Sequence, residues 1–155
     1  MPQKNLILVV EDNPDDELLT LDALRGGKKD CEVIVTRDGE EALEYLFGSG
    51  AWAGRDTRVQ PTLMLLDLKL PKLGGFEVLE RVRADERTRI VPVVLLTTSS
   101  QDEDMVRGYL GGANSFVRKP VEFARFGEAL RQLGQYWLLI NELPVDSRST
   151  PCATR

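Results

Sequence analysis

Residues 63–75 read LMLLDLKLPKLGG. Four consecutive apolar residues, 63–66, form the kind of short run that marks a strand covered on both faces. Asp67 stands at the end of that run, and Pro71, Gly74 and Gly75 punctuate the chain before the next periodic segment. Past the glycines, Phe76, Leu79 and Val82 recur at helical spacing, so the stretch is a strand, a turn carrying a carboxylate, and a helix.

The same unit repeats in both directions. Upstream, residues 6–10 (LILVV) are another wholly apolar run, followed by Glu11, Asp12 and Asn13. Pro14 suits the first position of a helix and Asn13 its cap. Leu18, Leu21 and Leu24 continue that helix on one face, and Gly26 and Gly27 end it. Residues 32–36 read as a second strand, after which Asp38 caps a helix bearing Ala42, Leu43 and Leu46 that stops near Gly48. Residues 48–61 (GSGAWAGRDTRVQP) are glycine-rich and polar, which predicts a surface loop. Downstream, residues 91–96 are a fourth strand ending in Thr97, Thr98, Ser99 and Ser100, and a helix over 102–110 stops at Gly111 and Gly112. Residues 115–117 form a short fifth strand, followed by Arg118, Lys119, Pro120 and a long last helix. Strand and helix alternate with connections too long for hairpins, which predicts an α/β fold: a doubly wound five-stranded parallel sheet with helices on both faces. Residues 1–141 read as one domain and 142–155, which lack periodicity, as a flexible tail.

Composition narrows the chemistry. The 155 residues are 42% hydrophobic and 29% charged, with a net charge of −5 and no histidine. Without histidine there is no imidazole base, no common zinc ligand and no Ser–His or Cys–His pair. The two cysteines, Cys31 and Cys152, form neither a metal-ligand spacing nor a disulfide framework. An acidic total without a basic stripe argues against nucleic acid as a partner. No run approaches the ~18 apolar residues needed to cross a bilayer, and the N-terminus turns acidic too soon for a secretory signal, so a cytoplasmic location is expected.

In an open parallel sheet, ligands bind outside the carboxyl ends of the strands. Four of the five predicted strands end in a reactive group: Glu11 and Asp12, Asp67, Thr97, and Lys119. Any one alone reads as a cap or turn residue; four on strands that share an edge read as a site. Three carboxylates gathered together repel one another and call for a cation. With only oxygen ligands, that cation is a hard one, Mg²⁺ or Mn²⁺. A carboxylate can attack a phosphoryl group, and the ammonium of Lys119 and the hydroxyl of Thr97 would meet the phosphoryl oxygens.

Together, the ED after strand one, LLDLKLP around Asp67, LLTTS at the end of strand four and FVRKP after strand five resemble the receiver domains of two-component response regulators, the CheY-like group. Thr97 and Lys119 follow Asp67 by 30 and 52 residues, separations that agree with that family. The resemblance covers about residues 5–140 and implies strand order 2-1-3-4-5. It makes Asp67 the phosphoacceptor, Asp12 a direct Mg²⁺ ligand, Glu11 a ligand through water and Lys69 a ligand by its backbone carbonyl. It makes Thr97 and Phe116 the switch residues, Lys119 a phosphate contact, and the Lys119–Pro120 bond cis. Lys69, Thr98 and Ser99 occupy positions that tune the lifetime of the acyl phosphate. The implied partner is a sensor histidine kinase. The YLFGSG insertion and the aromatic-rich last helix are similar to stand-alone regulators paired with bacterial phytochrome kinases.

In the last helix, apolar residues fall at 123, 126, 130, 133, 137 and 140, an unbroken 3-4 seam. Tyr136, Trp137 and Leu139 near its end, with Tyr109 on the fourth helix, predict a homodimer surface formed by the last helix and the fourth-helix and fifth-strand region. A haloacid dehalogenase-type phosphohydrolase is the rival reading, but it needs an acid where Lys69 stands. A flavodoxin-like flavin carrier would cradle its phosphate where Glu11 and Asp12 repel it.

Overall fold

The computed structural model describes residues 5–25 and 31–143. Five strands, β1 (Asn5–Val10), β2 (Cys31–Thr36), β3 (Leu63–Asp67), β4 (Val93–Thr97) and β5 (Ser115–Arg118), lie parallel in the order β2-β1-β3-β4-β5. The helices are α1 (Pro14–Arg25), α2 (Gly39–Phe47), α3 (Gly75–Ala84), α4 (Asp102–Leu110) and α5 (Phe123–Gln135). This is the expected doubly wound sheet, with strand limits shifted by up to two residues. The proposed helix end at Gly26 and Gly27, and nearly all of the proposed tail, lie outside the described residues.

Alternation along the buried strands makes two cores. Leu6, Leu8, Val10, Met64, Leu66, Val93 and Leu95 point to one face, where α2 and α3 cover them with Ala42, Leu46, Val78, Leu79 and Val82. Ile7, Val9, Leu63, Leu65, Val94 and Leu96 point to the other, under Leu24 of α1 and Phe126, Leu130 and Trp137 from the last helix. Burying a side chain of this size contributes about 1.5–3 kcal/mol, which is why strands so apolar on both sides settle in the middle of the molecule. On α4 only Gly108 is buried: a Cβ there would lie 2.7 Å from Leu95 Cδ1, so glycine lets this helix sit close to the sheet.

Local signals set the helix starts. Asn13 Oδ1 accepts the backbone N–H groups of Asp15 and Asp16 at 2.9 and 3.1 Å, capping α1. Asp38 Oδ1 accepts Glu41 N–H at 2.7 Å, capping α2. The 48–61 segment is more ordered than a plain surface loop. It holds a 3₁₀ turn, Gly50–Trp52. Arg55 donates to the carbonyls of Tyr45, Leu46, Asp56 and Val59. One guanidinium thereby satisfies carbonyls that the end of α2 leaves without helical partners.

Three expectations about helix faces are corrected. Leu18 is 70% exposed. The inward face of α1 centres on Thr20 and Leu24, and Leu18 sits a little over half a turn from Thr20. The 3-4 seam of the last helix is interrupted at both ends, with Phe123 and Ile140 exposed. After Gln135 the helix widens into a π turn, Tyr136–Ile140, closed by Asn141 N–H to Tyr136 C=O at 2.7 Å. The extra residue in that turn shifts the phase of every later side chain. Trp137, expected on a free surface, is buried in the chain's own second core.

Candidate functional site

The sheet order puts β1, β3, β4 and β5 side by side, so their carboxyl ends form one continuous edge. Glu11 and Asp12 leave β1 just past Val10, which pairs with Leu66. Asp67 closes β3, Thr97 closes β4, and Lys119 follows β5. The ladder continues one step beyond the strands, since Lys119 N–H donates to Thr97 C=O at 2.7 Å. The start of α3 presses on the same edge: a Cβ at Gly75 would lie 2.5 Å from the Asp67 carbonyl oxygen, so only glycine admits this approach.

Lys119 Nζ lies 2.9 Å from Glu11 Oε1, 2.9 Å from Asp16 Oδ2 and 3.4 Å from Asp67 Oδ2. Its side chain is only 6% exposed, and the ring of Phe126 lies 5.8 Å from the ammonium. Carboxylate oxygens of Glu11, Asp12 and Asp67 lie within 4.8 Å of one another. Glu11 and Asp67 are buried, while Asp12 is exposed at the mouth.

These groups perturb each other strongly. Burial, and then the charge of Asp67, pushes the Glu11 carboxyl up to about 7, although Lys119 pulls the other way. Burial also raises Asp67, again against Lys119. Burial works against the Lys119 ammonium, yet Asp67, Glu11 and Asp16 outweigh it and hold its pKa above the ordinary lysine value. One ammonium is too little positive charge for the carboxylates around it. A divalent cation among Glu11, Asp12 and Asp67 would supply the rest, and the donor set, all hard oxygens with one open side, fits Mg²⁺ or Mn²⁺.

The remaining candidates surround this cluster. Thr97 is buried, and its Oγ1 accepts Ser99 N–H at 3.0 Å. Ser99 Oγ in turn donates to Asp104 Oδ2 at 2.7 Å, joining the end of β4 to the first turn of α4. Thr98 is exposed, as is Lys69 in the loop after Asp67. Phe116 is partly buried and packs on the first core, its ring beside Gly108 of α4. Tyr109, Tyr136 and Leu139 are 50%, 46% and 63% exposed. The expected cis bond at Pro120 is not found; no peptide bond among the described residues is cis. An X–Pro bond favours trans by about 0.5–1 kcal/mol, and Lys119 makes all its contacts with the trans bond in place.

Asp16 escaped the sequence reading. With Asp15 and Glu17 it makes an acidic first helical turn, which reads as ordinary compensation of the helix dipole. Only the packing of α1 against α5, the helix that follows Lys119, shows that this one acid of the three reaches Lys119.

A parallel sheet in this order, with an aspartate, a hydroxyl and a lysine around an acidic cluster at its carboxyl edge, defines a receiver fold. The response regulator receiver domain model matches residues 7–131, and the chain belongs to that family. Among curated relatives, the probable methanogenesis regulatory protein FilR2 of Methanothrix harundinacea is 38% identical, the match covering 90% of this chain and 87% of that protein. The response regulator Rcp1 of Synechocystis is 32% identical over 90% of this chain and 93% of its own length. Among solved structures, the phosphorylated cyanobacterial phytochrome response regulator RcpA superposes with a TM-score of 0.86 at 34% identity, covering 92% of this chain and all of that one. The Mn²⁺-bound form of Rcp1 gives 0.84 at 32% identity, covering 91% and 99%. The bacteriophytochrome response regulator AtBRR is 49% identical with a TM-score of 0.71, covering 91% and 100%. The protein is a two-component response regulator with phytochrome-associated homologues. No described helix is long and apolar enough to cross a membrane.

Proposed function

We propose that this chain accepts a phosphoryl group on Asp67 from a phosphohistidine of a sensor kinase, with Mg²⁺ or Mn²⁺ at the acidic cluster. The observation that carries this reading is the buried Lys119 ammonium, held among Glu11, Asp16 and Asp67 beside an open carboxylate cluster. An Asp67 oxygen forms the new P–O bond; the P–N bond to the kinase imidazole breaks, and its electron pair stays on the departing nitrogen. Asp12 and Asp67, the Lys69 carbonyl and Glu11 (the last through water) would hold the cation, which supplies charge to offset the phosphoryl oxygens. Lys119 offers a second positive charge and Thr97 a hydroxyl donor. Thr97 and Phe116 would report the new charge to the α4 and β5 face, while Lys69, Thr98 and Ser99 set access to the acyl phosphate. On this reading the protein signals by changing its docking surface, and its own chemistry is limited to taking up and slowly losing the phosphoryl group. The phytochrome-associated homologues support a bacteriophytochrome as the kinase.

Incubation with acetyl phosphate and Mg²⁺ should add one phosphoryl mass to the wild type and none to Asp67→Asn. Equal labelling of the Asn variant would place the acceptor elsewhere.

A second reading concerns assembly. Tyr136, Leu139, Ile140 and Leu143 are exposed near the end of the last helix, and Tyr109 is exposed on α4. We propose that a second copy of the chain covers this surface.

A further inference from the structure

The ammonium of Lys119 has three N–H groups and three carboxylates around it, and the three are not alike. Glu11 and Asp67 belong to the cluster that fits a cation; Asp16 does not. Asp16 is anchored separately from them, in the first turns of α1. Its backbone N–H donates to Asn13 Oδ1 at 3.1 Å, and its carbonyl accepts the hydroxyl of buried Thr20 at 2.7 Å. Its Oδ2 then meets Lys119 Nζ at 2.9 Å, while the contact to Asp67 stretches to 3.4 Å.

We infer that Asp16 is a positioning residue for phosphoryl transfer: it draws the Lys119 ammonium partly off Asp67 and holds it where the incoming phosphoryl oxygens arrive. The inference rests on Asp67 being the acceptor. Once Glu11 faces a cation and Asp67 is attacking, Asp16 is the one carboxylate still free to hold the lysine. Without its charge, the ammonium would settle onto the two remaining carboxylates. There it would cover the Asp67 oxygen that must form the new P–O bond, and it would compete with the cation for Glu11. Groups that orient a functional side chain in this way commonly affect activity or metal affinity about 10–100-fold.

The test uses the intact chain with acetyl phosphate and Mg²⁺, initial labelling rates being read by intact mass. In each transfer the Asp67 oxygen bonds to phosphorus as the donor's P–O bond breaks and acetate leaves. Asp16→Asn should slow labelling about tenfold, and Asp16→Glu, which keeps the charge, should recover most of the loss. Combining Asp16→Asn with Lys119→Met should be no slower than Lys119→Met alone, because the effect runs through the lysine. Thermal unfolding of each variant separates loss of positioning from loss of fold. Wild-type labelling by a folded Asp16→Asn protein, or a full additional loss on the Lys119→Met background, overturns the proposal. Labelling of Asp67→Asn at the wild-type rate would instead be a failure of the acceptor assignment, seen before any Asp16 variant is made.

Discussion

The carboxyl edge of the sheet and the end of the last helix resolve opposite problems in opposite ways. At the sheet edge, the side chains of Glu11, Asp67, Thr97 and Lys119 are buried, each with a partner within the chain: Lys119 meets three carboxylates, and Thr97 and Ser99 are joined to the backbone and to Asp104. What stays unbalanced there is charge, as the raised carboxyls of Glu11 and Asp67 show. At the end of the last helix, charge is unremarkable and apolar area is left over. Trp137 enters the core, but Tyr136 stacks edge-on against it at 5.2 Å and stays largely exposed with Leu139, Ile140 and Leu143. A buried site short of positive charge calls for an ion or a proton; an exposed apolar patch calls for another surface. The first kind of deficit is chemical and the second is one of assembly.

Breaking the comparison at its strongest point means removing Lys119. Lys119→Met keeps the bulk and leaves Glu11, Asp16 and Asp67 uncompensated, so at about pH 8 the metal-free protein should lose about 3–5 kcal/mol of stability. Mg²⁺ should return much of that loss, since the deficit is one of charge and not of packing. Urea unfolding with and without Mg²⁺ measures both; a loss indifferent to Mg²⁺ would make Lys119 a packing residue.

The titration of Glu11 sharpens the same point. Its carboxyl rises in the folded protein from 4.5 to about 7, first through burial and then through Asp67. Between those values the folded protein holds more protons than the unfolded chain, so metal-free stability falls as pH rises through the window and stays at the lower level above it. A bound cation displaces that proton. Mg²⁺ affinity should therefore climb up to about tenfold per pH unit below about 7 and then level off. A calorimetric titration series that is flat across neutral pH would contradict this account.

The smallest effect on stability is expected at the helix end. Tyr136→Glu with Leu139→Glu should alter the folding free energy by no more than about 1 kcal/mol, as most exposed substitutions do. It should nevertheless change the mass in solution from a dimer to a monomer near 17.4 kDa. Wild-type protein at the monomer mass, phosphorylated and unphosphorylated alike, would dismiss the second-copy reading.

Much of the fold was legible in the chain because its signals are local. The short, wholly apolar runs LILVV and LMLL, the caps at Asn13 and Asp38, and the regular return of a reactive residue at a strand end each involve neighbours in sequence. Helical faces were less legible: Leu18 lies at helical spacing from Leu21 yet faces water, because the buried stripe of α1 follows Thr20 and Leu24. The last helix misled for a related reason, since a 3-4 seam assumes an unbroken α-helical pitch and the π turn at Tyr136–Ile140 changes it.

By itself, then, the sequence determined the order of elements, the parallel sheet and the identity of Glu11, Asp12, Asp67, Thr97 and Lys119 as the groups at one edge. Periodicity and turn chemistry act over a few residues, and a parallel sheet brings successive strand ends to a common side whatever the details of packing. Only the tertiary structure decided that Lys119 meets Asp16, 103 residues away, that the Lys119–Pro120 bond is trans, and that Trp137 turns inward while Leu139 does not. Those outcomes depend on how α1 and the last helix slide and rotate against the sheet. That fit is set by the summed packing of many side chains, and no short stretch of sequence encodes it.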